Sequence, residues 1–309
     1  PGHEFIGKVE SLGGGEAVDA FGEKLAVGDA VIACAAQPCG ECFNCRRGET
    51  ASCLNFGVTF VRDPAEAPHF FGGFGEFLFH PMKDLIRIPD GLNVDAVAAL
   101  PCAGPTVIRA AAYGGGLEKG EIVVVQGTGP VGLFAIAYAA RLGCHVVAIG
   151  SGSTPERLKM AEDFGAGKVF DYRAGTVEER HEYVLDLAKT RGRGDGADVV
   201  IEASGSPRAF PEGLALLRTR GRYLVPGQYS DSGEIAIPPH LITLRALQVI
   251  GSGQYTLDDV NSYLDFLAKH EDTQVLFANT ISDRFSVVDA NAAVAKVSNG
   301  ACVKAVFSA

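Results

Sequence analysis

The feature that most constrains this chain is a run of four cysteines, Cys39, Cys42, Cys45 and Cys53, at C-x2-C-x2-C-x7-C spacing. Each short gap lets a tight turn aim two sulfurs at one point, and the longer gap lets the chain return. Tetrahedral zinc takes four thiolates, and a closed site of this kind is structural because no position is left for substrate. Free or disulfide-paired thiols are the alternative, and the spacing disfavours them.

The other cysteines, Cys34, Cys102, Cys144 and Cys302, are dispersed in apolar surroundings. Scattered thiols beside a thiolate metal site imply a reducing compartment, so a cytoplasmic location is expected. A net charge of -10 argues against a nucleic-acid surface. The sequence contains neither a signal peptide nor an apolar run long enough for a bilayer, so no membrane partner is expected. A length of 309 residues predicts about two domains. The chain opens on Pro1-Gly2-His3-Glu4 without Met, as if inside a motif, so an upstream segment is expected.

Residues 1 to 90 read as β-rich, with short runs at 5–12, 30–35 and 75–80 set between glycine and charged turns. Residues 96–113 are Ala-rich with a helical period. After them the pattern alternates. Strands are predicted at 122–126, 145–149, 168–171, 197–203 and 221–226, and helices at 131–142, 155–164, 178–189 and 207–217. A helix at 258–269 and a strand at 303–307 close the chain. Alternation at this pace means a doubly wound parallel sheet, hence an α/β protein.

Gly127-Thr128-Gly129-Pro130-Val131-Gly132 follows the β-branched strand and opens a helix. Such glycines allow a tight turn, close approach of a pyrophosphate and close helix–strand packing. The helix N-terminus adds free N–H groups and a favourable dipole. In this strand–turn–helix setting the motif points to a dinucleotide rather than to an ordinary βα turn. An NAD site places an acid at the end of the next strand. That place reads Gly150-Ser151-Gly152-Ser153-Thr154, without a carboxylate. Room for a 2′-phosphate, with Ser151 there and Arg157 to supply charge, favours NADP over NAD. The alternative for Arg157 is a solvated residue of the first helical turn.

Three further motifs complete the picture: Gly2-His3-Glu4, the Val27-Gly28-Asp29-Ala30-Val31 turn, and Leu100-Pro101-Cys102-Ala103-Gly104-Pro105-Thr106. With the cysteine lobe and the dinucleotide half, they resemble the zinc-dependent medium-chain alcohol dehydrogenases along the whole chain. The resemblance implies a GroES-like β-barrel catalytic domain, its N-terminal part missing here, with a Rossmann domain inserted. Residues 1–103 and 251–309 would form the first, with the zinc lobe at 39–53, and 104–250 the second.

The resemblance also implies a second, catalytic zinc. His3 and Cys102 match two of its three protein ligands, and the remaining cysteine would lie upstream. Glu4 matches the acid behind the metal, Thr106 the residue against the nicotinamide, and Lys304 a pyrophosphate-binding arginine. Gly251 falls near where the backbone holds the carboxamide. Hydride would then pass between an alcohol, aldehyde or ketone and the nicotinamide. Read alone, His3 is a terminal surface histidine and Cys102 a core thiol.

His69, His80, His145, His181, His240 and His270 lie outside these motifs and take no role. Asp198 and Glu202 read as structural or as lying near the adenosine edge, and take no assigned role. The segment 58–74, with Phe60, Phe70, Phe71 and Phe74, reads as an apolar pocket wall or as packing under the zinc lobe. The stretch 246–253 reads as an edge strand that could pair with a second copy, which would give a homodimer or homotetramer. A zinc-free quinone or enoyl reductase and a non-catalytic nucleotide-binding protein remain as alternatives on the same fold.

Overall fold

The computed structural model describes residues 2–34, 37–56, 65, 67, 69, 72–153, 155–299 and 302–308. Two units emerge, Pro1–Pro105 with Gln254–Ala309, and Thr106–Gly253.

In the first unit β1 (Ile6–Lys8), β2 (Ala30–Ala33) and β3 (Leu85–Arg87) form an antiparallel sheet with Ile32 opposite both Ile6 and Ile86. Val9, Leu25, Val31, Ala33 and Leu85 bury one cluster, with Phe5, Leu12 and Met82 packed on it. Buried Asp19 ties this region together. Its Oδ1 accepts from the Phe21 and Glu23 N–H groups at 2.8 and 2.9 Å, and its Oδ2 from Arg87 at 2.9 Å. A short helix, α1 (Phe43–Arg46), lies within the cysteine run.

The helix predicted over 96–113 is two helices, α2 (Val94–Ala99) and α3 (Ala103–Tyr113). The cause is Pro101, which disfavours the α conformation in the residue before it. Leu100 accordingly leaves it, with φ -134 and ψ 43. The strand predicted over 75–80 is irregular chain. The glycines that precede it serve close packing, since a Cβ on Gly73 would stand 2.6 Å from Phe5 Cβ.

In the second unit β4 (Ile122–Gln126), β5 (His145–Gly150), β6 (Lys168–Asp171), β7 (Ala197–Glu202), β8 (Leu217–Val225) and β9 (Gln248–Gly251) make one parallel sheet. Its order is β6-β5-β4-β7-β8-β9. The intervening helices are α4 (Pro130–Arg141), α5 (Pro155–Asp163), α6 (Val177–Arg191), α7 (Ala209–Leu216) and α8 (Pro239–Leu244). This is the doubly wound sheet the alternation predicts. β4 and β7 are buried along their whole length, which explains their near-continuous apolar runs. Gln126, the one polar residue of β4, accepts from the Tyr223 hydroxyl at 2.8 Å and donates to Ala209 O at 2.9 Å. At the other end of the sheet, buried Asp198 accepts from Ile122 N, Arg193 and Arg218.

The chain order reverses between β4 and β7. Ligands bind doubly wound sheets outside the strand carboxyl ends at such a point.

The chain then returns to the first unit. α9 (Leu257–Lys269) and α10 (Glu271–Ala278) are followed by β10 (Ile281–Phe285), α11 (Ala290–Ser298) and β11 (Lys304–Phe307), with β10 and β11 paired in parallel. The Tyr263 hydroxyl of α9 donates to Ala96 O and Val97 O at 2.9 and 3.1 Å. Gly104 gives its ring room: a Cβ there would stand 2.4 Å from Tyr263 Cδ2. This contact positions the α2–α3 corner that carries Cys102.

Candidate active site and metal centres

The four cysteines of the lobe converge, with all ligand sulfurs within 4.8 Å of one another. Cys39 Sγ and Cys45 Sγ lie 4.0 Å apart. A zinc tetrahedron with bonds of about 2.3 Å has sulfur–sulfur edges of about 3.8 Å. The turns also feed N–H groups to the sulfurs. Cys42 N donates to Cys39 Sγ, Cys45 N to Cys42 Sγ and Cys39 N to Cys53 Sγ, each at 3.4 Å. The Asn55 side chain adds a bond to Cys39 at 3.4 Å.

The N–H groups of Cys45 and Leu54 lower the Cys42 thiol to about 6, whereas burial pushes Cys45 up to about 12. Neutral surroundings thus support one thiolate and oppose another, and a dication is what lets all four ionise together. Donor type, spacing and convergence all fit structural zinc.

A second convergence joins residues far apart in sequence. Ligand atoms of His3, Glu4 and Cys102 lie within 4.8 Å of one another. His3 Nε2 is 3.8 Å from Glu4 Oε1, and the His3 side chain is 60% exposed. The Lys304 ammonium is engaged by Glu4 Oε2. Gly2 holds the approach: its φ is +85°, and a Cβ would stand 2.8 Å from Phe74 N. Phe74 is itself packed edge-on against Phe307 at 4.7 Å. Phe60, Phe70 and Phe71 lie outside the described residues, as do Ala35 and Thr154. An imidazole, a thiol and a carboxylate gathered near solvent fit the three-ligand, open zinc site of hydrolytic and redox catalysis. Tyr255 is buried. Burial first, then the Cys102 and Cys34 sulfurs, hold its hydroxyl protonated, well above the usual tyrosine range.

In the second unit the glycine turn sits at the sheet's reversal point. Gly127 has φ +112°, and a Cβ there would stand 2.6 Å from Ala203 O. At Gly132 a Cβ would lie 1.9 Å from Gly127 O, so helix and strand close to backbone distance. Beside Gly129 the space is open, with nothing within 4 Å of the Cβ position. Gly129 caps α4, and Pro130 opens it where no N–H is needed. Val131 follows on this first turn, and Thr106 is half-buried in α3. An open glycine at a helix N-terminus is a fitting cradle for a pyrophosphate.

At the end of β5 a carboxylate absent from the local sequence arrives from the next strand. Asp171 Oδ1 accepts from Gly152 N at 2.9 Å and from Arg173 N at 3.0 Å. These N–H bonds hold Asp171 below the usual carboxylate range. Ser151 and Ser153 hydroxyls lie 2.8 Å apart, and the Arg173 guanidinium donates to the Tyr172 hydroxyl at 3.3 Å. Arg157 is half-buried on α5. Sequence reasoning missed Asp171, Tyr172 and Arg173, whose only signal was their place at the end of β6.

It also missed a cavity of about 450 Å³ at the carboxyl ends of β8 and β9, lined by Val225, Pro226, Gln228, Tyr229 and Gly251–Gly253. Gln228 Nε2 and Ser252 Oγ are buried there without a hydrogen-bond partner.

Residues 130–269 match the family model described as zinc-binding dehydrogenase, and residues 1–90 the alcohol dehydrogenase GroES-like domain. The 5-exo-hydroxycamphor dehydrogenase of Pseudomonas putida is 34% identical over 99% of this chain and 82% of its own length. An L-threonine 3-dehydrogenase of Alteromonas mediterranea is 31% identical over 82% of this chain and 64% of its own. The crystal structure of an alcohol dehydrogenase from Thermotoga maritima superposes with a TM-score of 0.90 at 29% identity, covering 99% of this chain and 82% of that one. Fold, cysteine lobe and dinucleotide turn together define a medium-chain dehydrogenase/reductase. Within that superfamily the chain belongs to the zinc-binding alcohol dehydrogenases, an oxidoreductase family. No helix among the described residues is long and apolar enough to cross a membrane.

Proposed function

We propose that this protein is a zinc-dependent alcohol dehydrogenase that interconverts a small alcohol and its aldehyde or ketone, with NADP preferred over NAD. The observation that carries the reading is the convergence of His3, Glu4 and Cys102 within 4.8 Å.

His3 and Cys102 would hold the catalytic ion, with Glu4 beside them. The bound ion supplies Lewis-acid polarisation of a hydroxyl or carbonyl oxygen, and the nicotinamide gives or takes hydride. Lys304 shares the negative charge of Glu4, which leaves the imidazole and the thiolate as the stronger donors. Gly129 and the first turn of α4 would receive the pyrophosphate. Thr106, Gly251, Gln228 and Ser252 are the candidates to orient the nicotinamide end. The lobe of Cys39, Cys42, Cys45 and Cys53 would hold a second zinc with a structural role.

The NADP preference is supported by the loop after β5. Both N–H bonds to Asp171 fall on Oδ1 and leave Oδ2 as an acceptor, so the preference rests on the Ser151 hydroxyl and the Arg173 and Arg157 cations as candidates to receive a phosphate. As the edge strand of the sheet, β9 offers a surface for a second copy, which supports a homodimer or homotetramer. The thiolate lobe suits the cytoplasm.

The test is zinc per chain by elemental analysis, together with NADP-linked alcohol oxidation. Two zinc ions and turnover are expected. One ion without turnover overturns the reading.

A further inference from the structure

The turn that follows β7 meets the glycine turn at the sheet's reversal point, and one buried side chain holds it. Glu202 ends β7 and is 0% exposed. Its Oε1 accepts from Ser204 N at 2.8 Å, from the Ser204 hydroxyl at 2.5 Å and from Gly205 N at 3.0 Å. Its Oε2 is buried without a hydrogen-bond partner and faces Gly227, where a Cβ would stand 2.5 Å from it. The backbone around it is tied as well: Ala203 N donates to Gln126 O at 2.8 Å, and Gly227 N to Glu202 O at 2.9 Å. A buried acceptor left unmatched costs stability. An apolar side chain of the same length would fill the space without that cost, so the bonds gathered on Oε1 are what set Glu202 apart.

The two turns stand at backbone distance. The Cβ position of Gly127 lies 2.6 Å from Ala203 O and 2.8 Å from Ser204 N. In the sheet order β7 flanks β4 on the side away from β5 and β6. Ser151, Asp171 and Arg173 gather on the β5 and β6 side, and the cavity at Gly251 opens on the β8 and β9 side. A dinucleotide laid across the reversal point runs from the first side to the second, with its pyrophosphate at Gly129. The turn that Glu202 holds therefore lies against the half beyond the pyrophosphate, the nicotinamide and its ribose.

We propose that Glu202 is a positioning residue for the coenzyme, its Oε1 holding the turn 203–205 in the shape that seats the nicotinamide half. This rests on the reading of the glycine turn as a dinucleotide site. Glu202 acts through the backbone of Ser204 and Gly205, which it fixes by accepting their N–H groups. Misplacing a reacting group by about 1 Å can cost about 100-fold.

The experiment measures binding to the whole chain by calorimetry with two ligands, NADPH and its adenosine fragment, adenosine 2′,5′-bisphosphate. NADH and AMP take their place should the parent protein prefer that coenzyme. Glu202→Met keeps the length of the side chain and removes the acceptor. It is expected to weaken the coenzyme by about 10–100-fold and to leave the fragment unchanged. Glu202→Gln keeps an oxygen for Ser204 and Gly205 and is expected to bind the coenzyme as the parent does. Glu202→Asp draws the carboxylate back by one methylene. It too is expected to weaken the coenzyme and spare the fragment, and it decides the matter should Glu202→Met fail to fold. Unchanged coenzyme affinity, equal weakening of coenzyme and fragment, or a Glu202→Gln protein as weak as Glu202→Met overturns this inference alone. A parent protein that binds neither coenzyme overturns the dinucleotide reading and this inference with it.

Discussion

The two candidate metal centres of this chain are built in opposite ways. The lobe takes its ligands from one short stretch, Cys39 to Cys53, and its turns donate backbone N–H groups to three of the sulfurs. The other centre takes adjacent His3 and Glu4 from one end of the first unit and Cys102 from the corner between α2 and α3. Its outer partner, Lys304, comes from a still later segment. A centre made of neighbours is closed and organises its own chain. A centre assembled from distant segments depends on the whole unit being folded, and His3 leaves it open to solvent. Closure suits structure, and an open position suits chemistry.

The sharpest way to break this comparison is Cys102→Ser. Turnover should fall by at least about 1,000-fold, or roughly 4 kcal/mol in the barrier, with one zinc lost and the melting temperature little changed. Retained activity would remove Cys102 from the site.

Cys45→Ser should do the reverse. It should release the lobe's zinc and lower stability by several kcal/mol, comparable with the about 2–5 kcal/mol lost when a native disulfide is removed from a small domain. Thermal unfolding with metal analysis reads both effects, and an unchanged melting temperature with full zinc would end the structural reading.

Next in size is coenzyme choice. Ser151→Asp should shift the NADPH:NADH ratio of kcat/KM toward NADH by about ten-fold or more, which is about 1.4 kcal/mol. An unmoved ratio would remove the NADP argument.

The smallest effect sharpens the contrast in outer partners. Asn55→Ala deletes one side-chain bond to Cys39 Sγ. It should cost about 0.5–1.5 kcal/mol of stability, as for one hydrogen bond, and leave kcat unaltered. A fall in kcat would show that the lobe is coupled to the chemistry.

What was legible in the sequence follows the same division. The lobe could be read from spacing because its physics is local. The alternation of β4 to β8 with α4 to α7 was legible because buried parallel strands are continuous apolar runs. Pro101 announced a break that the Ala-rich period of 96–113 concealed, and α8, α10 and α11 are too short or too weakly patterned to stand out. At the site, Gly127 and Gly132 were legible because each has a backbone reason to lack a side chain, and Gly129 because the middle glycine of such a turn leaves space for a pyrophosphate. Asp171 was not, since it reaches Gly152 only through the pairing of β5 with β6. The bond of Lys304 to Glu4 likewise arises from segments that meet only in the folded unit.

The compactness of the cysteine lobe also sets an order of events in time. During synthesis Cys53 leaves the ribosome well before Cys102, and chains are made at about 5–20 residues per second. The lobe can therefore capture its ion on a nascent chain, while the second centre must wait for the rest of its unit. If both centres bind zinc as proposed, scarce zinc would fill the lobe first and leave a folded chain that gains activity as later ions arrive.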